Sequence, residues 1–188
     1  MPHNHGTKPP KGEPWTPTID VILDITDPKN KKFHFESADI DIGKDNAISF
    51  YNEDQPGFII TFRLKNPPGG YRFPENLKEA LWVVEQPVCP DENNNKEWGQ
   101  FKAKAVNNGG LDLVVRNLNN DQKSFGYAPR VTTDGVEFWN LDPVGTNENG
   151  GYGKLDFSTY ATIAIAGAVG GAIATLGIEQ LMGLNPLG

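Results

Sequence analysis

The chain has 188 residues and a net charge of −7, with 37% hydrophobic and 22% charged residues. That fits one domain plus an appendage, and the charge argues against a nucleic-acid binder, which needs clustered Lys and Arg. With one cysteine, Cys89, and three histidines, His3, His5 and His34, an intrachain disulfide framework is excluded and a multi-histidine metal centre has too few ligands.

In chain order, residues 1–17 come first. Pro2, Pro9, Pro10, Pro14 and Pro17 punctuate them and no apolar run occurs. The stretch reads as a disordered arm, without the apolar region of a secretory signal. His3 and His5 have no third ligand at useful spacing, so a solvated tail is expected.

Short alternating strands follow. Ile19, Val21, Leu23 and Ile25 share one face of a first strand, and Phe33 and Phe35 alternate across His34. Ile40 and Ile42 alternate with Asp39 and Asp41. Further strands are expected at 47–50, 58–64, 81–84, 101–106, 111–115, 124–131 and 136–141. Leu77, Ala80 and Leu81 sit at helical spacing, which predicts a single helical turn. The connectors are turn chemistry: Gly43 to Asn46, Asn66 to Gly70, Asn107 to Gly110, and Asp134-Gly135. Asn-Gly and Asp-Gly steps supply the positive φ that tight hairpins need. Such spacing predicts an all-β sandwich, Ig-like or cupredoxin-like, over residues 18–144. Residues 145–156 are rich in Gly and Asn and read as a flexible linker.

The run from Phe157 to Ile178 carries no charged side chain. Its 22 residues match the length of helix that spans a bilayer core. Ile165, Val169, Ile173 and Leu176 fall on one helical stripe, and Gly167, Gly170, Ala174 and Gly177 on a roughly opposite one. Gly167 and Gly171 form a G-x-x-x-G pair. Small residues let helix backbones approach closely inside lipid. The expectation is a hydrophobic helix over 157–183 that anchors the protein in a membrane or assembles with a membrane complex. Gly167, Gly170, Gly171, Ala174 and Gly177 would form its helix-packing face, with a homo-oligomer as one outcome. Ile165, Val169, Ile173 and Leu176 would face lipid or a partner. Two alternatives stay open: a helix packed on protein, and a strand pair turning at Gly170-Gly171. Lys154 before the run, with no Lys or Arg after it, places the preceding domain in the cytoplasm; a wholly soluble cytoplasmic protein is the alternative.

Tests for chemistry return little. A blue-copper site needs two histidines and a cysteine, and no histidine follows Cys89. Cys89 and His34 form a nucleophile pair only if the fold brings them together; a half-buried structural thiol is the default. The loop Asp91 to Glu97 offers hard oxygen ligands for calcium but lacks the EF-hand pattern, so a solvated loop is expected. The carboxylates Asp20/Asp24 and Asp39/Asp41 fit polar sheet faces. Trp82 and Trp139 read as core or half-core. Trp98, beside the Asn-rich loop, is the expected exposed aromatic and the candidate ligand contact. No catalytic residue, metal ligand or cofactor site is assigned.

The layout of residues 33–144 resembles a family of short bacterial β-sandwich proteins of unknown function, the DP-EP type. The features are the Phe33-His34-Phe35 strand with Ile40-Asp41-Ile42 after it, the central Phe58-Ile59-Ile60-Thr61-Phe62 strand, and Tyr127, Asp134-Gly135 and Asp142-Pro143 at the close. The resemblance implies a sandwich fold and brings no catalytic residues. The function expected from these observations is a non-enzymatic accessory or assembly protein tethered by its C-terminal helix. The alternatives are a soluble carbohydrate-binding sandwich and a membrane-active effector.

Overall fold

The computed structural model describes residues 12–43, 46–50, 57–120, 123–141 and 144–147. The chain is β-rich, in two mixed sheets with few helical residues. The first sheet contains β1 (Thr18–Asp24), β2 (Lys32–Glu36), β4 (Phe58–Leu64), β6 (Phe101–Asn107) and β7 (Asp112–Asn117), in the order β2-β1-β4-β7-β6. The second contains β3 (Ile48–Phe50), β5 (Leu81–Val84), β8 (Lys123–Val131) and β10 (Val144–Asn147), in the order β3-β10-β8-β5. The short β9 (Trp139–Asn140) also pairs with β8.

Alternation sets the core, because successive side chains point to opposite faces. β1 contributes Ile19, Val21 and Leu23, β4 contributes Phe58, Ile60, Phe62 and Leu64, and β7 contributes Leu113 and Val115. From the second sheet, Ile48, Phe50, Leu81, Val83, Phe125, Tyr127 and Val131 join the same cluster. The middle is aromatic: Phe101 lies 4.9 Å from Phe125 and 5.0 Å from Tyr127, centroid to centroid. Such pairs add about 0.5–1.5 kcal/mol beyond area burial. The Tyr127 hydroxyl is buried there without a hydrogen-bond partner among the described residues.

Two pairings are parallel, β1 with β4 and β3 with β10. Hairpin turns cannot make these, so the chain crosses between sheets. Asn107 to Gly110 does join neighbours, β6 and β7, with Asn108 at φ 54° and Gly109 at φ 65°. The Asn66 to Gly70 turn instead leads from β4 in one sheet toward β5 in the other. On that route Asn76 accepts the Lys78 N–H and starts α1 (Leu77–Ala80), the expected helical turn.

The structure differs from the expected elements in four places. The strand expected at 136–141 is reduced to β9, because the 132–137 stretch folds on the Asp134 and Thr132 side chains. Ile40 is not in a strand: Ser37 Oγ accepts the N–H groups of Asp39 and Ile40, and Asp39 accepts the Thr18 N–H. The two Ser37 bonds are local and compete with a ladder. Trp15, expected in the arm, is buried and hydrogen-bonds through its N–H to Gly57 O at 2.9 Å. At the other end, β10 reaches Asn147, inside the expected linker.

Strand directions place the chain's leads. Trp15, just ahead of β1, bridges to Phe58, the first residue of β4, and β1 itself starts opposite Thr61. β10 runs antiparallel to β8 and ends at Asn147 opposite Lys123. Both leads therefore lie at the end where β4 and β8 begin. The other end carries the 25–31, 65–76, 108–111 and 132–138 connections.

No described helix is long and apolar enough to cross a membrane. Gly167, Gly170, Gly171, Ala174, Gly177, Ile165, Val169, Ile173 and Leu176 lie outside the described residues.

Candidate functional site

The end of the molecule away from the two leads has a built seam. Arg72 and Thr132 exchange backbone hydrogen bonds, each at 2.9 Å, and Phe73 N–H donates to Gly110 O at 2.8 Å. Thr132 follows β8 and Gly110 precedes β7, so residues 72–73 tie the two sheets together. Gly110 makes the approach possible. Its φ is +91°, and a Cβ there would meet Arg72 Cβ at 2.8 Å and Phe73 O at 3.0 Å.

Beside the seam lies a groove of about 960 Å³, lined among others by Arg72, Pro74, Glu75, Val106, Asn107 and Asn108. The volume falls within the range of small-ligand sites. The side chains of Arg72, Glu75, Asn107 and Asn108 make no hydrogen bond or ion pair with any described residue. Their donors and acceptors are open to solvent.

A separate aromatic cluster sits beside β2, outside the residues that line the groove. Tyr71 and Trp139, both half-buried, meet edge to face at 5.9 Å, and Phe33 meets Trp139 at 6.3 Å. The Lys31 ammonium sits 5.7 Å from the Tyr71 ring centroid and 5.9 Å from that of Trp139. It also donates to Tyr71 Oη at 3.0 Å, and that bond holds its pKa above the usual lysine value. The 132–138 loop is self-capped. Asp134 Oδ1 accepts the N–H groups of Val136 and Glu137 at 2.8 and 3.0 Å, which lowers the Asp134 pKa.

The chain matches no family model and no curated protein.

Trp98, expected to be exposed, is buried and lies 5.0 Å from Phe125 in the core. Its bridge to Phe101 draws it inward, so it offers no ligand contact. Phe33, Tyr71, Trp82, Phe138 and Trp139 are the half-buried aromatics among the described residues. Cys89, expected to be half-buried, is exposed. It follows β5, an edge strand of the second sheet that packs near β6, whereas exposed His34 lies on β2 at the far edge of the first sheet. The two are not brought together. In the 91–97 loop, Asp91 Oδ1 accepts the N–H groups of Asn93 and Asn94, and Asn95 Oδ1 accepts that of Val83. These oxygens fold the loop. Among the described residues no group of three or more His, Cys, Asp or Glu is placed to hold a metal ion.

Sequence reasoning missed the groove. Its turns were legible, but the meeting of 72–75 with 106–110 depends on the crossover between sheets.

Two cations are unusual. Arg130 is buried, with its guanidinium carbon 3.6 Å from the Trp82 ring centroid and 4.3 Å from that of Phe138. It donates to Asn140 Oδ1 at 2.8 Å and to the Glu79 carboxylate. Burial lowers its pKa, and Glu79 opposes that shift. Lys104 is the extra residue where the β6–β7 register shifts between Ala103 and Ala105. It is 8% exposed. Burial, then the charges of Arg116 and Lys102, lower its pKa to about 8.

Proposed function

We propose that the protein is a non-enzymatic accessory or assembly factor: an Ig-like or cupredoxin-like β-sandwich tethered by residues 157–183 to a membrane or membrane complex. The observation that carries this reading is the uncharged run from Phe157 to Ile178. In water its four glycines cost a helix about 1 kcal/mol each relative to alanine, so the run needs lipid or protein to cover it. In the proposed arrangement the Gly167, Gly170, Gly171, Ala174 and Gly177 face meets another helix. Ile165, Val169, Ile173 and Leu176 meet lipid or a partner, and the sandwich stays on the cytoplasmic side.

The direction of β10 supports the reading. Residues beyond 147 start from the end opposite the groove, so a tether there leaves the groove facing away from its attachment. The test is fractionation of cells that make the full chain. The parent protein is expected in the membrane fraction, resistant to alkaline carbonate. Val169→Asp with Ile173→Asp is expected to move it to the soluble fraction, since a central Asp costs about 2.5–3.5 kcal/mol in an inserted helix. A parent protein found wholly in the soluble fraction contradicts the reading.

A further inference from the structure

We propose that Lys104, with Lys102 and Arg116 beside it, is a carbamylation site: its side-chain amine takes up carbon dioxide, and the two neighbouring cations hold the carbamate anion that forms. This goes beyond the tether and does not rest on it.

Placement makes the amine unusual. Lys102 of β6 lies opposite Arg116 of β7, and Lys104 is the extra residue at the bulge just after that pair. A bulge re-aims a side chain out of the regular alternation. Here that side chain is a lysine, 8% exposed, which makes no hydrogen bond or ion pair with any described residue. The carboxylates of the elements around it are engaged elsewhere. Asp112 of β7 pairs with Arg63, and Glu97 pairs with Lys78 and Lys102. Glu79 of α1, which packs on β6, pairs with Arg130. The buried lysine therefore has cations for neighbours and no carboxylate of its own.

Such a setting favours the neutral amine. Burial, then the charges of Arg116 and Lys102, bring the Lys104 pKa to about 8. At about pH 7.5 roughly a quarter of the molecules then carry a free lone pair there, against about one in a thousand for an ordinary lysine. That lone pair attacks the carbon of CO2. An N–C bond forms, one C–O π pair moves onto oxygen, and the nitrogen gives a proton to water, leaving –NH–COO−. An uncompensated buried cation has become an anion beside two cations, so repulsion is replaced by attraction. Arg116 is a fork of donors that suits a carboxylate, and its donation to Gly99 O at 3.2 Å steadies it. A hydrated anion such as phosphate suits the place less well, because it must shed its water to reach a side chain this buried. CO2 is small and uncharged and meets no such cost.

The experiment incubates the full chain, in detergent if its solubility requires, with isotope-labelled bicarbonate at about pH 7.5, where the amine is partly neutral. Carbamates are trapped as ethyl esters with triethyloxonium and mapped by peptide mass spectrometry. A reference peptide with a free α-amine, pKa about 8, checks the chemistry in the same tube. Label is expected at Lys104 at about ten times or more the level at exposed Lys29 and Lys78. Lys102→Glu is expected to lower the Lys104 yield about three- to tenfold, since a carboxylate there raises the lysine pKa and repels the carbamate. Lys102 is half-exposed, so that variant is expected to melt close to the parent. Bicarbonate at constant ionic strength is expected to raise the Tm of the parent and not that of Lys104→Met. A Lys104 yield no higher than that of Lys29 and Lys78 overturns the proposal. So does a yield that Lys102→Glu leaves unchanged, or an equal Tm shift in parent and Lys104→Met.

Discussion

The Arg130 guanidinium carbon lies 3.6 Å from the centre of the Trp82 ring, the closest of its two aromatic contacts. Arg130 is on β8 and Trp82 on β5, in adjacent strands of one sheet. The contact joins them to α1 through Glu79 and to β9 through Asn140. A delocalised, weakly hydrated guanidinium suits that setting, and an ammonium does not. Removing Arg130 takes the partner from the Trp82 and Phe138 rings and from Asn140 Oδ1, while the Glu79 carboxylate, 42% exposed, is left in water. Arg130→Ala is therefore expected to destabilise the fold by about 1–3 kcal/mol, and Arg130→Lys to recover less than half of that. Urea denaturation followed by tryptophan emission measures both.

Tyr127 makes the opposite case. Its ring packs against Phe62, Phe101 and Phe125, and its buried hydroxyl has no partner among the described residues. Burial raises its pKa well above the ordinary phenol value. A buried, unpaired polar group costs about 1–3 kcal/mol, so Tyr127→Phe is expected to raise stability by about 1 kcal/mol or more. A calorimetric Tm below that of the parent contradicts the placement.

Lys104 gives stability a pH dependence. Its folded pKa, about 8, lies below the unfolded value of 10.5. Between those values the unfolded chain binds more protons, so this group's contribution makes stability rise with pH. Below pH 8 both states hold the proton and the folded state carries the full penalty of a buried charge. Lys104→Met is then expected to stabilise the protein at pH 7 by about 1–3 kcal/mol. Its advantage is expected to shrink toward pH 10.5. Paired melts across that range read the effect.

The seam depends on Gly110. Alanine there meets Arg72 Cβ and Phe73 O within 3.0 Å at a positive φ. Gly110→Ala is expected to cost about 1–3 kcal/mol. Hydrogen exchange is expected to rise first at the Arg72, Phe73 and Thr132 amides, which report the two hydrogen-bonded joins.

Much of the β character was legible because it is local. Ile19, Val21 and Leu23, and Leu113 and Val115, alternate in sequence as they do in the core. Pairing was not legible. The parallel partner of β1 is β4, dozens of residues away, and no turn motif encodes that choice. The same limit hid the groove, whose walls come from separate connections. Trp98 misled for a related reason. A tryptophan beside a polar Asn-rich loop looks exposed in sequence, yet that loop folds on itself through Asp91 and Trp98 turns in toward Phe125. Ile40 and Ile42 alternate like strand residues, but Ser37 Oγ takes the Asp39 and Ile40 N–H groups and Ile42 makes only an isolated bridge to Ile48.

The most direct test of the tether is sedimentation of the full chain with and without a mild detergent. An apolar cover for residues 157–178 predicts large heterogeneous species in plain buffer and a single sharp species in detergent. A sharp monomer boundary in plain buffer, unchanged by detergent, would contradict it.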